Sequence, residues 1–207
     1  MKFAIILSAL LASVLAAPVE GDVESQTDHH PTHPTHPQKP EMVLFPNYLV
    51  PIKEAHPDHA HETQKTGMVH WESHTHGEEI RLLVGFDIPE DVGPKCMINF
   101  SLPPQQKYGY QWTVNGSGKL DVWGLKSMII NGETSWNTKP MRTSWKPMYT
   151  IHQPKNGGMA KVTGKWVPCK AGERMDFEVA GARAGPVFFD WYELDNPKTG
   201  ITMNVYS

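Results

Sequence analysis

Apolar and polar residues alternate along this chain in short runs, punctuated by turn formers. Cys96-Met-Ile-Asn-Phe-Ser-Leu102 is the clearest run: Cys96, Ile98, Phe100 and Leu102 share one face, and Asn99 and Ser101 the other. Similar runs predict strands at Arg81–Phe86, Lys119–Trp123, Ser127–Ile130, Met148–His152, Lys161–Val167, Arg174–Ala180, Val187–Tyr192 and Ile201–Tyr206, with Gly, Pro or Asn between most of them. Met42–Ile52 is apolar but broken by Pro46 and Pro51, which suits an edge strand or an extended entry better than a helix. From Lys53 to Glu79 the chain turns polar and His-rich, as a long surface loop or short edge strands would. No stretch carries a long amphipathic helical period. The pattern predicts an all-β fold of antiparallel sheets, a β-sandwich or jelly roll.

The first residues break this pattern. Lys2 is followed by an apolar run from Phe3 to Leu15, and Val14 and Ala16 are small, so residues 1–16 have the form of a secretory signal peptide cleaved before Ala17. No later apolar run is long enough to span a bilayer, and the C-terminal residues carry neither an ER-retention signal nor a GPI tail. Residues 17–41 form a His/Pro/Thr-rich leader, with Thr-His-Pro at Thr32 and again at Thr35, suited to an extended and O-glycosylated spacer. Residues 42–207 are then one β domain. The expected location is extracellular.

Export changes the meaning of several residues. Cys96 and Cys169, the two cysteines, are expected to pair in an oxidising compartment. The bridge is expected to run across the two sheets, from the Cys96 strand to the end of the Lys161–Val167 strand. Closing so long a loop is worth roughly 4 kcal/mol in the chain-entropy picture. Asn99-Phe-Ser101 and Asn115-Gly-Ser117 become glycosylation acceptors, and Asn99 lies on the outward side of its strand. Removing Lys2 with the signal takes the formal charge from −3 to −4, which offers no footprint for nucleic acid.

Histidine is the conspicuous residue: ten of 11 lie between His29 and His76. Within the domain His56, His59, His61, His70, His74 and His76 form a candidate metal set for Zn²⁺ or Cu²⁺. The i, i+2 pairs His59/His61 and His74/His76 would share a face if they stood on strands, with Asp58, Glu62, Glu72 and Glu78 nearby as oxygen donors. The alternative is a solvated loop whose imidazoles titrate near pH 6.5. A histidine brace is excluded by Ala17 as the expected first residue, and a zincin by Lys65 where its second histidine should stand.

No Gly-x-Ser-x-Gly elbow and no phosphate-binding glycine loop occurs. His152 stands alone as a base, and Asp190/Glu193 is a carboxylate pair that could in principle hydrolyse glycosides. The expectation is a protein without catalytic activity and with no cofactor beyond a possible metal. Of the seven tryptophans, Trp136 and Trp145 sit in a turn-rich segment and are the expected exposed pair for stacking on sugar rings; core packing is the competing role.

The run Phe45-Pro-Asn-Tyr-Leu-Val-Pro-Ile52, then Phe86-Asp-Ile-Pro89, then Cys96-x-x-x-Phe-x-Leu-Pro103 resembles the C-terminal domain of the fungal But-two family, named for a partner of a ubiquitin-like protein. Trp166-Val-Pro-Cys169, Ala171-Gly-Glu173, Met175-Asp-Phe-Glu-Val179 and Gly200-Ile-Thr-Met203 extend the resemblance over roughly residues 42–207. Pro46-Asn47 replaces the family's usual Pro-His, and the His-rich stretch is unusual for it. The resemblance implies a secreted or surface β-sandwich with no established catalytic residues. Together these features lead to an expected function: a non-enzymatic fungal extracellular or cell-wall-associated protein that binds wall polysaccharide or a host surface. The alternatives are a secreted Zn/Cu-binding protein and a carbohydrate-active hydrolase.

Overall fold

The computed structural model describes residues 39–74, 77–104, 112–116, 118–154 and 156–207. The expected signal peptide and all but the last residues of the expected leader lie outside them. The described residues form fifteen strands and no helix. One antiparallel sheet is built from β1 (Met42–Leu44), β5 (Lys95–Leu102), β9 (Gly158–Met159), β11 (Val167–Pro168), β14 (Leu194–Asp195) and β15 (Lys198–Tyr206). Its order is β1-β15-β5-β11, with β9 on the far end of β5 and β14 in a hairpin with β15.

The second sheet holds β2 (Tyr48–Lys53), β3 (Thr66–Trp71), β4 (Ile80–Asp87), β6 (Thr113–Gly116), β7 (Lys119–Gly124), β8 (Tyr149–His152), β10 (Val162–Gly164), β12 (Arg174–Gly181) and β13 (Val187–Tyr192). It runs β10-β8-β7-β12-β4-β3-β13-β6, with β2 also paired on β4, and curls into half a barrel.

Strand alternation fills the space between the sheets. Cys96, Ile98, Phe100 and Leu102 of β5 and Ile201, Met203 and Val205 of β15 meet Leu82, Val84, Phe86, Val122, Phe177, Val179, Phe189 and Trp191 in one core. Phe100 locks the two layers together: its ring stands edge-on to Phe189 at 6.0 Å and to Trp191 at 5.1 Å, the arrangement aromatic quadrupoles prefer. Gly67 on β3 faces Trp191 across the β3–β13 ladder, and a methyl group there would strike the indole. Glycine is therefore required at this point for close approach.

Several expectations shift. Met42–Ile52 divides at Phe45-Pro46 into β1 in one sheet and β2 in the other. The free side of β2 is capped by Thr63 Oγ1, which accepts from Leu49 N–H at 2.9 Å, and by Gln64 N–H, which donates to Leu49 O at 2.8 Å. β3 is not an edge strand; it stands between β4 and β13. Ser127–Ile130 is no strand: only Ile129 is buried, while Met128 and Ile130 are exposed, so the run has one anchor and not a face. Lys161–Val167 breaks into β10 and β11, where the chain crosses between sheets.

The cystine forms as expected between Cys96 and Cys169, with Cα atoms 5.1 Å apart. It does not cross the sandwich. Val167 pairs with Cys96, so the bond ties β5 to the residue just past its own neighbour β11.

Replacing Gly67 with alanine should overpack the β3–β13 contact and destabilise the protein by about 1–3 kcal/mol. Urea unfolding checks this, and an unchanged midpoint would mean that the Trp191 ring has room to move.

Candidate functional site

The outer face of the curled sheet carries a second, smaller apolar cluster of Val50, Ile52, Leu83 and Ile129, with Leu125 and Trp136 packed against it. It is roofed by residues 125–147, which contain no strand. Beside this cluster β12 presents an unusual row. Its inner positions are Met175, Phe177 and Val179, so its outer ones are Arg174, Asp176 and Glu178, set under the same roof.

Glu178 is the centre of that row, with a side chain 1% exposed. Arg81 Nη1 and Arg142 Nη2 each donate to its Oε1 at 2.9 Å, and Arg142 Nε donates to Oε2 at 2.9 Å. Burial opposes the charge on Glu178, but Arg142 and Arg81 outweigh it and hold its pKa below the ordinary carboxylate value. Arg81 also makes a two-pronged bond to Glu79, at 2.8 and 2.9 Å, and Arg183 reaches Glu79 at 3.3 Å. Farther along β12, Arg174 pairs with Asp176 at 3.0 Å and donates to Ile129 O in the roof.

Each arginine also lies on an aromatic ring. Arg142 stands 3.5 Å over Trp123, and Arg81 stands 4.4 Å over Trp136, which Lys139 also approaches at 4.6 Å. Burial and the neighbouring Arg81 push the Lys139 ammonium below its ordinary pKa. Next to this network opens a groove of about 300 Å³, lined by Trp123, Trp145, Arg142, Arg183, Glu79 and Asp121 among others. Trp145 is 82% exposed at its edge. The arrangement supplies a flat apolar ring beside fixed donors and acceptors.

Trp136 is therefore not half of an exposed pair. It is half-buried between two cations and the second cluster, because its segment folds back on the sheet. Trp145 is exposed as expected, and Trp123 is its partner in the groove. Nothing in the local pattern of Lys119–Gly124 distinguished Trp123 from a core residue; its outward position follows only once Leu120 and Val122 are known to face in.

The histidines fall into two groups. His56, His59 and His61 lie on a turn-rich loop, not a strand, so the i, i+2 spacing does not place two rings on one face. His59 and His61 instead meet edge to face at 4.3 Å, and His61 Nε2 is buried without a hydrogen-bond partner. Burial, with His59, Lys53 and His56 nearby, pushes the His61 pKa down. His70 stands on β3, within 3.2 Å of Glu78 O and 3.6 Å of Glu72 Oε1. His74 is exposed, and His76 lies outside the described residues. Among the described residues no three His, Cys, Asp or Glu side chains converge as a metal cluster.

Asn99 is half-exposed on the outer face of β5, while its sequon partner Ser101 donates to Lys198 O at 2.9 Å. Asn115 is exposed on β6, and Ser117 lies outside the described residues. Asp190 and Glu193 do not face each other across a cleft. Strand alternation puts Asp190 on the outer face, whereas Glu193 turns inward to accept from Trp191 Nε1–H at 2.9 Å and Ile201 N–H at 3.2 Å. Glu193 Oε1 is buried without a partner, and burial pushes the carboxyl up to about 8 despite those two donors. His152 is half-buried on β8, and slight burial with Lys119 and Lys161 lowers its pKa.

A family model described as ubiquitin 3 binding protein But2 C-terminal domain matches residues 44–197, about three quarters of the chain. No curated protein matches it.

Two predictions follow from the carboxylates. Removing Glu178 leaves the Arg142 guanidinium without a carboxylate and Arg81 with Glu79 alone, so E178A should lose about 3 kcal/mol in urea unfolding; a wild-type midpoint would rule out this anchor. Glu193 has the opposite sign to Glu178. Its contribution is complete below the ordinary value of 4.5 and is lost as pH rises towards about 8. That of Glu178 is present above 4.5 and is lost as pH falls through its lowered value. Stability should therefore decline on both sides of a mildly acid optimum. E193Q should flatten the alkaline limb alone, and an unchanged limb would remove Glu193 as its cause.

Proposed function

Because the chain belongs to the But2 C-terminal domain family, we propose that it is an exported binding protein without catalytic activity. Its ligand is the polysaccharide of a fungal cell wall or the glycan of a host surface. The observation that carries this reading is the groove in which exposed Trp145 stands beside Trp123, Arg142, Arg183, Glu79 and Asp121. A pyranose has apolar C–H faces and an equatorial rim of hydroxyls. An indole ring covers the first, and planar guanidinium and carboxylate groups bond the second in pairs.

Three further features support the reading. Glu79, Arg81, Arg142 and Arg183 of the groove are all held in ion pairs, which favours positioning over proton transfer. The cystine suits an oxidising compartment. Among the described residues no helix is long and apolar enough to cross a membrane. The family's description names ubiquitin 3 as a partner; binding is carried over here and that partner is not. A chain that passes through the secretory route does not meet cytosolic ubiquitin-like proteins.

Retention on insoluble chitin, β-glucan and mannan tests the proposal. Wild type should be retained on at least one, and W145A should weaken that retention about ten-fold or more, the size expected of an anchor residue. W136A should lower stability through Arg81 and leave the groove's indole in place. Failure on all three polymers, or retention by an immobilised ubiquitin-like protein alone, would overturn it.

A further inference from the structure

A second opening lies where β7 and β12 run out beneath the start of the roof. β7 places Leu120, Val122 and Gly124 inward, and Gly124 pairs with Phe177 of β12. Gly124 ends that row without a side chain. Its place is taken by Met148, whose Sδ stands 2.9 Å from where a Cβ would be. Here the sandwich is left open, and a cleft of about 520 Å³ runs in from the surface. That volume is within the range of about 300–1,000 Å³ usual for small-molecule sites.

The cleft is layered. Its floor is Phe177 with Met175 and Met148, which also pack on the main core. Its mouth is formed by Leu125–Met128 on one side and the turn before β12 on the other, and Met128 at the rim is 63% exposed. Methionine is flexible and polarizable, and three of them give an apolar wall that can reshape around an irregular or chain-like guest. The charges lie at the mouth apart from Asp176, which is buried and keeps one carboxylate oxygen without a partner. Asp176 is answered by Arg174 at 3.0 Å, and Glu173 by Lys170 at 3.8 Å. Among the described residues Lys126 has no carboxylate partner, so the mouth keeps one uncompensated positive charge.

We infer that this cleft is a binding site for a single-chain amphiphile with an anionic head, of the fatty-acid class. The chain enters between Met128, Met148 and Met175, and the head stays at the mouth beside Lys126. This inference is independent of the carbohydrate groove, which shares no lining residue with the cleft.

Calorimetric titration of the full chain with laurate below its micelle concentration tests it, with 1-dodecanol as the uncharged match. Laurate should bind saturably at one per chain, and dodecanol at least ten-fold more weakly. K126E should weaken laurate ten-fold or more and leave dodecanol unchanged. M128D, at an exposed position, should weaken both, and W145A neither. Absence of saturable laurate binding would overturn the inference, as would a K126E protein that binds laurate like wild type. Association with anionic phosphatidylglycerol vesicles without uptake of free laurate would also overturn it, because the charge would then be reading a membrane surface.

Discussion

A carboxylate buried at the centre of a sheet face is the constraint around which the outer half of this protein is organised. Residues 125–147 have no strand of their own and contribute little apolar area beyond Ile129, Leu125 and Trp136. A segment that long would ordinarily be left to solvent, because its conformational entropy outweighs what it buries. Here Glu178 offers two oxygens in a water-poor setting, and Arg142 brings the roof to it with two bonds. Arg81, from the neighbouring strand, completes the charge balance and provides the surface on which Trp136 rests. The aromatic groove is a by-product of that anchoring, since Trp123 is held flat by the same Arg142.

The two faces of the curled sheet are stabilised by different physics. Inside, strand alternation brings aliphatic and aromatic side chains together with no charged partner, and the energy scales with buried area. Outside, the fixed elements are ion pairs and cation–π contacts, whose strength depends on protonation. Glu193 adds a third case: a carboxyl at the rim of the core that is kept neutral and not paired. A domain assembled this way is expected to be most stable in mild acid. There Glu178 keeps its charge while Glu193 keeps its proton.

The chain's own pattern revealed the inner face and concealed the outer one. Cys96–Leu102, Arg174–Ala180, Val187–Tyr192 and Ile201–Tyr206 were legible because each alternates between a packed and a wet side. The cystine was legible from composition and compartment, but its route was not. Nothing in the spacing says that Lys161–Val167 changes sheets and so brings Cys169 beside β5 from the same layer. The outer face defeats pattern reading because β12 carries Arg174, Asp176 and Glu178 where a solvated strand would also carry charges. Burial of those charges depends on a roof that comes from elsewhere in the chain. The half-buried place of Trp136 and the groove position of Trp123 are hidden from the pattern for the same reason. The histidines had suggestive spacing, yet a spacing rule holds only on regular backbone, and His56–His61 lie on turns.

The position of the disulfide has a consequence for endurance against proteolysis. Every residue of the roof lies within the 73-residue interval between Cys96 and Cys169, as do Trp123 and Trp145 of the groove and Met128 and Met148 of the cleft. Irregular, exposed segments are where proteases cut first. A single cut anywhere in that interval still leaves one covalent molecule, because each new end remains tethered through the cystine. The bond thus works as insurance against nicking across the roof, the groove and the cleft, where a cut does not release a fragment.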